Sequence, residues 1–253
     1  MPTDLFLFFV GIFTGAMNAI AGGGMLVGFP ALLATGLSAL SANATSNIVV
    51  MPGQLASAFA YRKYLRTVPK RYLLLLIPCV IGAIIGALIL RHTSSAHFEN
   101  LVPWLILMAV ALFAFQPLLR KYLHKHMHSR SKRLRPFILI AIALLPLAIY
   151  GGYFGAGFGF VMLALLGFTK LKDIHQLNAM KNVAATAIGT VCIIILAPGS
   201  FINWHAGTVM ALGSIIGGYG GAHFAQRISS HAIRITVIGI GVVTAAYLVF
   251  RSY

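Results

Sequence analysis

Two glycine-rich runs carry the first hint of chemistry: Asn18-Ala19-Ile20-Ala21-Gly22-Gly23-Gly24, and Gly151-Gly152-Tyr153-Phe154-Gly155-Ala156-Gly157-Phe158-Gly159. Glycine lets the backbone turn sharply and lets a ligand approach the peptide groups. Each run interrupts an apolar stretch. A helix starting near Met25 or Phe160 would aim its N-terminus at the interruption. Such a terminus offers free N–H groups and the positive end of the peptide dipole, a natural anion site. The competing reading is that these glycines merely let helices pack closely.

Polar stripes follow each run. Asn43, Ser46, Asn47 and Gln54 fall on one helical face, and Asn178, Lys181, Asn182 and Gly189 repeat that spacing. Amides inside an apolar segment must face protein or water; they could bind a solute, join helices, or cap the first helical turn. Lys181 is the one Lys or Arg well inside an apolar segment. It could serve an anion path or snorkel to an interface. The candidate substrate-binding set is therefore Asn18, Gly22, Gly23, Gly24, Asn43, Ser46, Asn47, Gln54, Gly155, Gly157, Gly159, Asn178, Lys181 and Asn182.

The chain has only three acids, Asp4, Glu99 and Asp173, all near segment ends. No carboxylate is placed to relay protons or hold a metal cation at depth. With no paired acids and no nucleophile beside a base, an enzyme is not expected, and neither is a cofactor or a metal. His124, His126 and His128 alternate as in a metal tract but sit in a basic, solvated linker. His175, His205 and His223 are candidates for proton coupling, with interfacial packing as the plainer role.

The elements that must position these residues follow from composition. Of 253 residues, 59% are hydrophobic and 9% charged, where a soluble domain carries about 25% charged. Lipid is therefore the expected solvent. Nineteen Lys and Arg give a formal net charge of +16. They gather at 62–71 and 120–135, between apolar segments, which is the positive-inside pattern rather than a nucleic-acid surface. Cys79 and Cys192 lie in apolar stretches and suit core packing. Ala16-Met17-Asn18-Ala19 imitates a signal cleavage site, but no basic region precedes it.

Shifted by 135 residues, the chain aligns on itself without a gap. Gly22 and Gly24 fall on Gly157 and Gly159, Asn43 and Asn47 on Asn178 and Asn182, and Gly82 and Gly86 on Gly217 and Gly221. Two membrane helices share Leu and Val by chance; shared Gly, Asn and Ser indicate duplication. The expected organisation is a first repeat over 1–119, a basic linker over 120–135 and a second repeat over 136–253. Each repeat has five apolar segments: 4–21, 25–37, 43–61, 72–90 and 99–119, then 137–155, 160–169, 178–197, 206–225 and 233–250. The second of each is short of the 17 or so residues a crossing needs, so a broken helix or hairpin is expected near the midplane. Placing 120–135 in the cytoplasm also puts 62–71, Lys170, Lys172, Arg227 and Arg234 inside, with 91–98, 198–205 and both termini outside. Equivalent loops then fall on opposite sides, so the repeats are inverted. The fold class is an all-α polytopic membrane protein. Inverted repeats with interrupted segments at their interface typify secondary transporters. A passive anion channel is the competing class. The Gly82/Gly86 and Gly217/Gly221 pairs could pack helices within one chain or across a homodimer.

At these residues the chain resembles the sulfite exporter TauE/SafE family. The resemblance rests on Gly22-Gly23-Gly24 followed by Pro30-Ala31-Leu32-Leu33, on Ala42-Asn43-Ala44-Thr45-Ser46-Asn47, on Gly151–Gly157, and on Asn178-Ala179-Met180-Lys181-Asn182. It covers essentially the whole chain. Met25 departs from the further glycine or serine of many members. The resemblance implies a transporter, by name an exporter, of sulfur-containing anions such as sulfite, thiosulfate or organosulfonates across the cytoplasmic (inner) membrane, with a proton or sodium as candidate coupling ion; another small organic anion is the alternative substrate.

Overall fold

The computed structural model describes residues 2–20, 22–127, 135–169, 171 and 173–224, with backbone alone over 112–127 and 135–136. The expected segment 233–250, the bases Lys170, Lys172, Arg227, Arg234 and Arg251, and linker residues 128–134 lie outside the described residues. So does His128; the side chains of His124 and His126 do too.

Among the described residues all regular structure is helical. The first repeat gives α1 (Pro2–Ile20), α2 (Met25–Ala34), α3 (Ala39–Ala60), α4 (Arg62–Leu65), a 3-10 turn at Lys70–Leu75, α5 (Leu76–His92) and α6 (Ser95–Met127). The second gives α7 (Arg135–Tyr153), α8 (Phe158–Leu166), α9 (Ile174–Leu196) with a short 3-10 turn after it, and α10 (Trp204–Phe224). Pro2–Ile20, Lys70–His92 and Ile174–Gly199 are long and apolar enough to cross a bilayer, with mean hydropathy of 1.6, 3.0 and 1.8. α5 turns Ile77, Ile81, Ile85 and Ile89 outward. In water such a face would be a large penalty; in lipid it is the expected surface. α6, at 33 residues, extends about 50 Å at 1.5 Å per residue, longer than the hydrocarbon core of about 30 Å.

Helix starts are set by capping. Ser38 accepts a hydrogen bond from the Ser41 N–H at 3.3 Å and opens α3; Asp173 accepts from the His175 N–H at 2.9 Å and opens α9. These two residues are repeat equivalents. Asn43 and Asn178 lie a turn inside their helices, so the capping role weighed for them belongs to Ser38 and Asp173 instead.

Helix directions follow from which residues meet. α10 runs beside α1 in the same sense: Gly213 meets Phe8, Gly217 meets Ile12 and Gly221 meets Ala16. α3 shares that direction, since Ile48 meets Gly207 and Ser57 donates to the Gly218 carbonyl at 2.9 Å. α5 and α7 are also parallel, with Gly82 against Leu145 and Gly86 against Ile149. α9 is antiparallel to α3. The Thr45 hydroxyl near the start of α3 accepts from the Asn203 N–H beyond the end of α9, and the Gln176 amide at the start of α9 donates to Thr67 beyond the end of α3. Arg91, at the end of α5, donates to the Ile195 carbonyl at the end of α9. α1, α3 and α10 therefore run one way, and α5, α7 and α9 the other. Each equivalent pair, α1/α7, α3/α9 and α5/α10, is antiparallel, as inverted repeats require.

The halves also interlock. The first apolar segment of each packs on the fourth apolar segment of the other, α1 on α10 and α7 on α5. Gly82, Gly86, Gly217 and Gly221 all lie in these contacts, so both small-residue faces are occupied within the chain.

Candidate substrate site

The glycine runs break the helices where expected. α2 begins at Met25 and α8 at Phe158, two residues before the anticipated Phe160. With 10 and 9 residues, these helices reach about 15 Å, roughly half the hydrocarbon core; neither crosses by itself. Gly22 has φ +89°, in the left-handed region that glycine alone enters freely. Its Cβ, were it present, would lie 2.8 Å from the Gly159 Cα, and a Cβ on Gly159 would lie 2.8 Å from the Gly22 Cα. The two breaks thus touch backbone to backbone where the repeats meet.

Each break is braced differently. In the first, the Asn18 amide oxygen accepts from the Gly24 N–H at 2.9 Å. In the second, the Tyr150 hydroxyl donates to the Ala156 carbonyl at 2.5 Å. The other repeat's third helix then reaches across to each. The Lys181 ammonium, on α9, donates to the Asn18 carbonyl at 2.8 Å and the Ala19 carbonyl at 3.3 Å, at the C-terminus of α1. The Asn43 amide, on α3, donates at 2.9 Å to the carbonyl of Tyr153, the repeat equivalent of Asn18. A cation at a helix C-terminus faces the negative end of its dipole, a favourable pairing. Lys181 is 1% exposed, so it does not snorkel. Its repeat equivalent, Ser46, donates to the Ala42 carbonyl of its own helix. The pseudo-symmetric frame therefore carries charge on one side only.

A small cavity, with about 40 Å³ of room for the centres of water molecules, lies beside the breaks. Asn18, Gly22 and Met25 line it from the first break, and Gly151, Gly155, Phe158 and Gly159 from the second. α3 contributes Asn47, Val50, Met51 and Gln54; α9 contributes Ala185, Ile188 and Gly189. Of the expected set, Asn18, Gly22, Asn47, Gln54, Gly155 and Gly159 meet here. Lys181 sits behind the wall, tied to the carbonyl of the lining residue Asn18. Gly23, Gly24, Gly157, Asn43, Ser46, Asn178 and Asn182 lie outside the lining. Gly24 and Gly157 are the N-caps of α2 and α8, Asn178 donates to the Ile174 carbonyl at 3.2 Å, and Gly23 belongs to the first turn itself.

The polar inventory has one sign. None of the three acids lines the cavity; Asp173 caps α9 and Asp4 pairs with His205 at 2.9 Å, near an exposed end. Three lining or adjacent amides have unpartnered atoms or short-range ties only. The Asn18 Nδ2 and both polar atoms of the Asn182 side chain are buried with no hydrogen-bond partner among the described residues. The Asn47 Nδ2 donates to the Asn43 carbonyl at 3.2 Å. Side-chain amide donors with a buried ammonium behind them suit an oxyanion. Two features were invisible in sequence terms. Tyr150 bracing the second break, and Met51 packing on Gly189 where α3 crosses α9, are ordinary residue types recognisable only by their contacts.

Comparison with known proteins points to membrane transport. The family described as Sulfite exporter TauE/SafE matches residues 7–248. A Haemophilus influenzae protein named "Probable membrane transporter protein" is 32% identical over 251 residues, spanning 96% of this chain and 93% of that protein. The Escherichia coli K12 "Probable membrane transporter protein YfcA" is 29% identical, over 98% of this chain and 90% of its own length. The Sinorhizobium "Probable membrane transporter protein ORF9" is 27% identical, over 96% and 91%. No solved structure matches.

Proposed function

Because the chain belongs to the sulfite exporter TauE/SafE family and is a membrane transporter, we infer that it is a secondary transporter moving small sulfur-containing anions, such as sulfite, thiosulfate or organosulfonates, outward across the cytoplasmic membrane. The observation that carries the choice of an anion is the cavity itself: amides and two glycine breaks line it, Lys181 stands behind Asn18, and no carboxylate lines it. A sulfonate or sulfite needs hydrogen-bond donors on several sides, and the Asn47 and Gln54 amides on this wall are the candidates. The antiparallel halves rock about the touching Gly22 and Gly159 in alternating access. The family name favours export; the linker 120–135 is assigned to the cytoplasm and the termini to the outside by the positive-inside pattern. A proton or sodium ion is the candidate coupling ion.

The test is thermal stabilisation of the purified protein against sulfite, sulfate, thiosulfate, sulfoacetate, taurine, acetate and phosphate at constant ionic strength. A ligand at a hundredfold excess over its dissociation constant adds about 2.7 kcal/mol, a readily visible shift. One sulfur anion is expected to stabilise the wild type and to lose most of that effect in Lys181→Ala. Equal shifts with all anions, or none, would remove the sulfur assignment. Single-channel currents from reconstituted protein would replace the carrier with a channel.

A further inference from the structure

Between the cavity and the end of the bundle where α9 begins, the packing is built in layers. The first layer is polar: Lys181 with the Asn18 and Ala19 carbonyls. Beyond it Ala19, Tyr61, Ala179 and Ala222 form a small apolar cluster, separate from the main core and flanked by Ala60, Tyr64 and Leu65. The outermost layer is aromatic. His175 stacks on Tyr61 with ring centroids 6.0 Å apart and leans on Tyr64 at 4.6 Å, and Gln176 donates to Thr67 at 2.8 Å at the exposed edge. These contacts join the end of α3 and α4, in one repeat, to the start of α9, in the other.

Three observations set this plug apart from ordinary packing. First, beside Tyr61 it is made of alanines, so little apolar area holds it shut. Second, Tyr61 is 3% exposed, yet its hydroxyl and the His175 Nδ1 are buried with no partner among the described residues. Unpaired buried polar atoms raise the energy of the closed arrangement. Third, the opposite end has no counterpart: the repeat equivalents of Tyr61 and His175 are Leu196 and Leu40. The mouth beyond the plug also carries Arg62, Lys63, Arg66, Lys70 and Arg71, a rim that concentrates anions.

We propose that Tyr61, Tyr64 and His175 form the gate between the cavity and the basic, cytoplasmic mouth, and that an anion passes Lys181 between the two. The proposal rests on the transporter reading and deepens it. On opening, α3–α4 and the start of α9 part, the Tyr61 hydroxyl and His175 Nδ1 gain water, and the cavity meets the basic rim. Tyr64, at the outer edge, acts as the latch.

The experiment reads access rather than transport, so it stands whichever anion the protein carries. In a Cys79→Ala, Cys192→Ala background, Asn47→Cys places a thiol on the cavity wall. Its modification by a membrane-impermeant methanethiosulfonate is timed from each face of oriented vesicles. A closed gate leaves an open state populated at about 0.1–10%, so Tyr64→Ala is expected to speed labelling at least about tenfold from the basic-mouth side alone. Tyr61→Phe deletes the unpartnered hydroxyl and is expected to slow it, with Tm unchanged or raised. Unchanged rates in both variants, or equal acceleration from both faces, would overturn the gate. If labelling behaves as expected while no sulfur anion stabilises the protein, the gate stands and the substrate assignment falls.

Discussion

Lys181 and Asn182 are neighbours in sequence but differ sharply in how the protein satisfies them. The ammonium of Lys181 finds two carbonyls at the end of α1. The amide of Asn182, fully buried, finds none among the described residues. An unpaired buried amide costs about 1–3 kcal/mol, so a purely structural residue here would be better as leucine. Asn182→Leu is expected to raise Tm or leave it unchanged while lowering anion flux into proteoliposomes by tenfold or more, roughly the loss of one charge-assisted hydrogen bond. A fall in Tm with normal flux would make Asn182 a packing residue. The sequence spacing put Lys181, Asn182 and Asn18 in one neighbourhood because their types are out of place in an apolar segment. It could not reveal that Lys181 would be spent on backbone carbonyls, since that depends on where α1 ends in the other repeat. Tyr61 and His175 were harder still: a tyrosine and a histidine near a helix end look interfacial until the partner helix is known.

At the scale of elements, the first apolar segment of each repeat is held on the fourth apolar segment of the other by glycines that leave no room for a side chain. A Cβ on Gly86 would sit 2.1 Å from the Ile149 carbonyl oxygen, whereas one on Gly220 meets nothing within 4 Å. Gly86→Ala therefore forces α5 and α7 apart and is expected to cost about 1–3 kcal/mol, as overpacking does. Gly220→Ala, in the same kind of helix, is expected to stabilise by up to about 1 kcal/mol through the helical preference of alanine. Melting curves of the two variants in one detergent check both, and a Gly86→Ala protein as stable as Gly220→Ala would refute the interlock. The segments themselves were readable because hydropathy reports lipid exposure. Their starts were less so: α3 begins at Ala39 rather than Asn43, because Ser38, Ala39 and Ser41 add little hydropathy but supply the cap. That α1 would pack on α10 was not readable, since small-residue faces state that a partner comes close and not which one.

For the whole molecule, the repeat offset of 135 residues carries unusual weight. It relates the caps Ser38 and Asp173, the breaks at Gly22 and Gly157, and the carbonyls of Asn18 and Tyr153 that each accept from the opposite repeat. Against this regular frame the differences stand out: Lys181 corresponds to Ser46, and Tyr61 and His175 correspond to leucines. A symmetric frame would let both halves exchange roles in the proposed alternating access, while the asymmetric side chains give the two ends of the bundle different character. Helix directions establish the inversion without reference to a membrane; which face is cytoplasmic rests on charge. Five bases at 62–71 sit at one end of the bundle, and the equivalent 198–205 carries no Lys or Arg. With each Lys or Arg near a membrane surface contributing about 1 kcal/mol of attraction to anionic cytoplasmic lipid, the first loop is expected inside. A reporter active only in the cytoplasm, fused after Arg66, is expected to be active, and one fused at Ser200 to be silent. Replacing Arg62, Lys63, Arg66, Lys70 and Arg71 with glutamine is expected to lower the first signal and raise the second, because the interlocked helices must reorient together. If the two fusions report the same side, the crossing pattern is not inverted in the cell. If they exchange sides in the wild type, the gate opens outward instead, and the basic rim would then capture anions for import.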